Sequence, residues 1–236
     1  MTCELEALCI EAEDPVVVGR FWAGVLGWEL SEETVVTVLP DDDTGFVIRC
    51  LPSAAPKIEK NRVHPDLTSA SLQQQEETVA RALALGARHI DIGQGPDEGH
   101  VVLADPEGNE FCVIEAGNRF LAECGFLGAL ACDGSQQVGY FWTEALGWPL
   151  VWDQDQETAI RSPHGGPKIT WGGPPLPRKL ATNRLQLELA SHGADPDADI
   201  ARLISLGATR VPGEDPTRVQ LLDPDGNEFA VLVRSG

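Results

Sequence analysis

Basic side chains are scarce: 17 lysines and arginines stand against 37 aspartates and glutamates in 236 residues, a formal charge of −20. Such a surface repels phosphate backbones and anionic headgroups, so neither nucleic acid nor a membrane surface is expected as a partner. Long apolar runs are also missing. None approaches the roughly 20 residues of a membrane helix, and the opening MTCELEALCI carries glutamates where an export signal carries basic residues. A soluble, cytoplasmic, acidic protein is expected. The six cysteines (Cys3, Cys9, Cys50, Cys112, Cys124 and Cys132) form no CxxC pair and no zinc-finger spacing. Most lie within apolar runs and read as reduced, mainly buried thiols. There is no GxSxG elbow, no P-loop, no GxGxxG after a strand and no HExxH. The glycine-rich GQGPDEGH (Gly93–His100) sits between two strands and reads as a turn.

What is present is a repeat. GRFWAGVLGW from Gly19 recurs as GYFWTEALGW from Gly139, and NRVHPDL from Asn61 recurs as NRLQLEL from Asn183. LALGAR from Leu83 matches LISLGATR from Leu203, and DPEGNEFCV from Asp105 matches DPDGNEFAV from Asp223. Four blocks in one order, each about 120 residues from its partner, mark a tandem duplication. The boundaries read as domains 1–118 and 123–236, joined through AGNRFLAE (Ala116 to Glu123).

Each half repeats a smaller unit. LEALCIEA reads as a strand, Asp14-Pro15 as a helix start and Gly27 as its stop. WELS, TVVTVLP and GFVIRCL follow as short strands between turn formers. The unit returns with a strand around Asn61 to Leu67, a helix from about Ser71 to Leu85 stopped by Gly86, then RHIDI, HVVLAD and EFCVIE. The second half predicts strands at FLGALAC, PLVW, ETAIRS, KITW, RLQLEL, ATRV, RVQLLD and EFAVLV. Its helices fall near Ser135 to Leu146 and Pro196 to Leu206. Strand, helix and three strands is therefore written four times, which predicts an α+β protein with mostly antiparallel sheets and helices on one face. The Pro-rich PSAAPKIEK and GGPPLPRKLAT are stiff connections, either spacers or pocket lips.

With these blocks the chain resembles the vicinal oxygen chelate superfamily and, within it, the glyoxalase-like domains, over nearly its whole length. The resemblance implies four modules pairing into curved eight-stranded sheets that enclose cups. It leaves the activity open, because the superfamily includes glyoxalase I, extradiol dioxygenases, thiol transferases that inactivate fosfomycin, and metal-free proteins that sequester bleomycin-type antibiotics. Metal-dependent members draw one ligand from each of four strands. Carried over by motif, those positions fall near Ala7, among Ile48, Arg49 and Cys50, at His64 and at Cys112. In the second copy they fall at Leu127, at one of Ile169 to Trp171, at Gln186 and at Ala230. A divalent ion needs several converging donors, so these sets predict no metal and no other cofactor. Two arrangements stay open: His64 and Gln186 facing one cavity if modules pair across the halves, and a soft site of Cys9, Cys50, Cys112 and His64.

Strand alternation places Arg62 and Asp66 on the face of His64, and Arg184 and Glu188 on the face of Gln186. The closing strands add Glu110 and Cys112, repeated as Glu228 and Ala230. Arg62 with Asp66, and Arg184 with Glu188, read equally well as internal ion pairs, and the two GNEF glutamates as parts of a tight turn. His64 is the candidate general acid or base, oriented by Asp66 or Glu110. Pro65 removes a backbone donor and suggests an edge or bulge. Six tryptophans accompany a single tyrosine; Trp22, Trp28, Trp142 and Trp148 recur and read as packing. Trp171, unrepeated like Trp152, is the candidate wall for a flat ligand. The leading expectation is metal-independent binding or sequestration of a small hydrophobic or aromatic metabolite. Its site would draw on Arg62, His64, Asp66, Glu110, Cys112, Trp171, Arg184, Gln186 and Glu188. The alternative is a lyase, isomerase or dioxygenase using His64 as acid/base or metal ligand. Monomer and homodimer are both allowed.

Overall fold

The computed structural model describes residues 3–95, 98–191, 196–213 and 215–233; of the expected turn at Gly93–His100, Pro96 and Asp97 lie outside them. Strand, helix and three strands recurs four times. Module one comprises β1 (Glu4–Ala12), α1 (Pro15–Leu26), β2 (Glu29–Ser31), β3 (Val36–Leu39) and β4 (Val47–Pro52). Module two comprises β5 (Val63–Leu67), α2 (Leu72–Ala84), β6 (Arg88–His89), β7 (Val101–Ala104) and β8 (Glu110–Val113). Module three comprises β9 (Leu127–Cys132), α3 (Gln136–Leu146), β10 (Leu150–Gln154), β11 (Glu157–Arg161) and β12 (Lys168–Trp171). Module four comprises β13 (Leu185–Ser191), α4 (Pro196–Ser205), β14 (Thr209–Arg210), β15 (Arg218–Leu222) and β16 (Glu228–Val233).

Local signals set the helix ends. The Asp14 carboxylate accepts from the N–H groups of Val16 and Val17, each at 3.1 Å, satisfying donors that the first turn of α1 leaves free. Gly27 and Gly147 then stop α1 and α3 in the left-handed region, at φ 79° and 68°. Gly19 and Gly139 recur inside these helices for a packing reason: a Cβ there would run into Val36 of β3 or Thr158 of β11. No described helix is long and apolar enough to cross a membrane.

The modules pair across the duplication. One sheet runs β14-β15-β16-β13-β1-β4-β3-β2 and the other β10-β11-β12-β9-β5-β8-β7-β6; neither closes into a barrel. Module four thus completes module one through antiparallel β1 and β13, and module three completes module two through β5 and β9. Inside each module the first strand runs parallel to the last. The remaining pairings are antiparallel.

Within a half, the two modules meet helix side to helix side. Trp22 packs edge-on against Phe111 at 5.2 Å between ring centroids, and Trp142 against Phe229 at 5.0 Å. Each indole N–H also donates into the DPxGNEF turn, Trp22 to Asp105 at 3.3 Å and Trp142 to Asp223 at 3.4 Å. Inside that turn Asp105 accepts from the N–H groups of Glu107 and Asn109, each at 2.9 Å, and Asp223 accepts from those of Asp225 and Asn227 at the same distance. The two clearest repeated motifs are therefore partners in space. One hydrophobic core takes side chains from both sheets and all four helices. The helix-free face of each sheet is left as a cup.

Candidate functional site

Register decides what each cup contains. In the first sheet Ala7 and Cys9 of β1, Arg49 of β4, Gln186 and Glu188 of β13, Ala230 of β16, and Arg218 and Gln220 of β15 share the helix-free face. Glu188, with its side chain 4% exposed, accepts from Arg49 and, at 2.9 Å, from Arg218. Arg49 also reaches Glu6 at 2.9 Å, and the Gln220 amide donates to Gln186 at 3.1 Å. Burial pushes the Cys9 thiol up to about 12. Two guanidinium groups at the centre of this floor, with alanines at positions 7 and 230, do not fit a cation.

The second cup holds different chemistry. Asp66 of β5 lies opposite Cys112 of β8, and His64 lies two residues earlier on the same face. His64 Nε2 is 3.6 Å from Asp66 Oδ1, and the ligating atoms of His64, Asp66 and Cys112 all lie within 4.8 Å of one another. Beside them stand Ala131 and Ala129 of β9, then Thr170 and Lys168 of β12. The small alanines leave the His64 and Asp66 side chains 21% and 16% exposed. Burial, with the Lys60 charge adding to it, lowers His64 to about 4. Burial raises Asp66 to about 7 against a hydrogen bond from Cys112, and pushes the Cys112 thiol far above its ordinary range. At neutral pH the cluster therefore holds a neutral imidazole beside a carboxyl near its titration midpoint, a hydrogen-bonding ring and a proton-exchanging acid on one floor. Among the described residues it is also the one group of three metal-capable side chains. Its N, O and S donors fit three positions of a zinc-type ion, provided Asp66 and Cys112 release their protons.

Comparison with known proteins agrees with this architecture. A model of the glyoxalase-like domain matches residues 7–114 and 129–232. The chain belongs to the glyoxalase-like domain family. Glyoxalase I from Zea mays is 13% identical and superposes with a TM-score of 0.62, covering 98% of this chain and 92% of that one. A proposed dioxygenase from Bacillus subtilis subsp. subtilis str. 168 is 15% identical with a TM-score of 0.62, covering 98% and 85%. Likeness at such identity shows the fold alone. No curated protein sequence matches the chain significantly.

Several expectations for this glyoxalase-like pair need correction. The modules do pair across the halves, yet His64 and Gln186 stand in different sheets, because module two takes module three as its partner. Of the four soft donors only His64 and Cys112 meet. Cys9 faces the first cup, and Cys50 belongs to the helix-side core. Leu127 also points into that core, and a register shift between Asp66 and Leu67 hands the cup position to Ala129. The edge or bulge expected at Pro65 is not found there: Pro65 pairs in register with Leu130 in a central strand, and the shift falls beyond Asp66.

Neither expected arginine–acid pair forms. Arg62 donates to Asn227 Oδ1 at 3.3 Å and to the Pro177 carbonyl, while Arg184 binds Glu107 at 2.6 Å and the Glu11 carbonyl at 2.8 Å. Both arginines sit one residue before their strand begins, so pleat alternation does not govern them. Each reaches the DPxGNEF turn of the other half instead. Glu110 is held by Lys57 at 2.6 Å and the Asn61 N–H at 3.1 Å, and Glu228 by Lys179 and the Asn183 N–H at 3.1 Å. These glutamates pin the Pro-rich connections to the turns. Trp171 is 2% exposed and sits in the helix-side core with Ile169. It is the other unrepeated tryptophan, Trp152, that shares the cup face with Ala159, Thr170 and Ala131. Arg218, Glu6, Lys168 and Trp152 were missed, since none belongs to a repeated block and their orientation depends on register.

Proposed function

We propose that the second cup binds a small molecule with a flat, apolar body, and does so without a metal. One observation carries this reading: the first cup is filled by a self-satisfied arginine–glutamate network, whereas the second exposes His64 and Asp66 beside Val102, Cys112 and Ala129. Apolar walls with a few polar groups that fix orientation are what small-molecule sites require. His64, unprotonated, would accept a hydrogen bond from a bound ligand and Asp66 would exchange a proton with it, so the same floor serves binding or acid/base chemistry. The six free cysteines suit a reducing compartment, and on that ground we place the protein in the cytoplasm. The charge of −20 argues against nucleic acid as a partner.

The donor cluster favours one second reading, an enzyme of the lyase, isomerase or dioxygenase kind. His64, Asp66 and Cys112 would hold a divalent ion, and the ion, when bound, would polarise an oxygen of the substrate. Metal analysis of protein purified without chelator, beside His64→Ala, separates the two readings. The metal-free reading expects well under one equivalent in both proteins, with saturable binding of naphthalene-2-carboxylate. About one equivalent of zinc, iron, manganese or nickel, lost on His64→Ala, would replace it with the enzyme reading.

A further inference from the structure

The segment 116–125 that joins the two halves runs over the second cup. Leu121 clusters with Val102, Cys112 and Ala129 of the cup floor and with Ile114 just beyond β8, while Phe120 and Cys124 pack at the margin of the same cluster. This cluster is separate from the core on the helix side. Register lays out the floor beneath. One row across the strands is Trp152, Ala159, Thr170, Ala131 and His64, and the next is Arg161, Lys168, Ala129, Asp66 and Cys112. Phe120 meets both rows at the module-three side. The Lys168 ammonium lies 4.2 Å from its ring centroid and donates to its carbonyl, and Trp152 meets the ring edge-on at 5.6 Å. Arg161 donates to the Glu123 carbonyl at 2.6 Å.

Two features make this cover incomplete. The Trp152 indole N–H is buried without an acceptor, although a buried donor normally finds one. The segment also borders an open cavity of about 480 Å³, lined by Gln74, Asn118, Leu121, Cys124 and Phe126. The join therefore leaves an unpaired donor beneath it and open space beside it.

We propose that the join is a displaceable internal occupant of the second cup. Phe120 keeps the place of an aromatic ligand that carries an oxygen acceptor. Such a ligand would set its ring on Lys168 and beside Trp152, as Phe120 does. Its oxygen would accept from Lys168 in place of the Phe120 carbonyl, and would also satisfy the indole N–H that phenylalanine leaves unpaired. An aliphatic acid would offer the oxygen without the ring, and an unsubstituted arene the ring without the oxygen. This inference rests on the reading of the second cup as the binding cup.

Calorimetric titration with naphthalene-2-carboxylate tests it on the full chain. Phe120→Ala should tighten binding at least tenfold, with Leu121→Ala acting in the same direction. Lys168→Met should weaken binding in both backgrounds, and cyclohexanecarboxylate should bind far more weakly throughout. Saturating wild-type protein should speed hydrogen exchange at the Leu121 and Cys124 amides, which the join itself bonds to Asn118 and Leu121. Equal affinity in wild type, Phe120→Ala and Leu121→Ala, or exchange that ligand leaves unchanged, would overturn the displaceable occupant. Ala131→Trp fills the cup from its floor, beside His64 and Thr170, and tells the two failures apart. If it abolishes binding in both backgrounds while Phe120→Ala has no effect, the cup stands and the occupant falls. If binding ignores Ala131→Trp, or no binding is found in any variant, both fall.

Discussion

Position by position, the two cups answer the same backbone with opposite chemistry. Where the first has Gln186, Glu188 and Ala230, the second has His64, Asp66 and Cys112, and where the first has Arg49, the second has Thr170. Gln220 of the first becomes Val102 of the second. In the first cup cations and anions meet in contact. In the second, burial keeps the His64 imidazole unprotonated and the Asp66 carboxyl partly protonated, and the cations Lys168 and Arg161 stand apart from them on the module-three strands. The lesson is that this scaffold supplies a floor and a register, and a handful of side chains decide whether the floor is sealed or reactive.

The largest effect that sharpens this contrast is expected from Glu188→Ala, which strands Arg49 and Arg218 together. Removing one partner of a buried ion network costs about 3–5 kcal/mol, readable as a lower denaturant midpoint. Adding Arg49→Met and Arg218→Met to Glu188→Ala should restore most of it. A loss below about 1 kcal/mol for Glu188→Ala would mean that the first cup is not sealed by its ions, and would break the comparison.

Next comes Asp66. Its folded pKa, about 7, lies above the ordinary 3.8, so the stability linked to its proton is complete below pH 4 and is lost as pH rises through 7. Asp66→Asn should therefore be more stable than wild type at pH 8 by on the order of 2 kcal/mol, with the gap closing toward pH 4. His64 gives the mirror result. Its folded pKa, about 4, lies below the ordinary 6.5, so its contribution is present above 6.5 and is lost as pH falls through 4. His64→Gln should remove that part of the acid instability, on the order of 1–2 kcal/mol between pH 6.5 and 4. Thermal melts across pH 4–8 check both. The smallest effect is expected at Glu6, which shares Arg49 from a partly exposed position. Glu6→Gln should cost about 0.5–1 kcal/mol, and less at high salt.

The fold was legible in the sequence because its signals are local and written twice. Asp14-Pro15, Gly27 and the DPxGNEF turn specify their own backbone, and the repeats Trp22/Trp142 and Asp105/Asp223 carry the contact that holds each half together. The site was legible only where a residue lies inside a regular strand. His64, Asp66 and Cys112 were placed on one face by alternation, and the strands obey it. Arg62 and Arg184 stand one residue outside their strands and find partners in the other half, which no spacing rule reveals. Trp152 and Trp171 look alike in the sequence, and a register shift between Leu150 and Trp152 accompanies the difference between facing the cup and facing the core.

The pairing of modules across the duplication has a consequence for how the molecule is held together. A half on its own would own two half-sheets, each with a long bare edge: β1 and β5 in one half, β9 and β13 in the other. Exposed edges of that length invite pairing with whatever strand is near. Separated halves would have to find each other, and their stability would then depend on concentration. Tethered, each edge meets its complement at an effective concentration set by the join, and two bimolecular encounters become steps of one chain's folding. A single cut in the join would turn a folding problem back into an assembly problem.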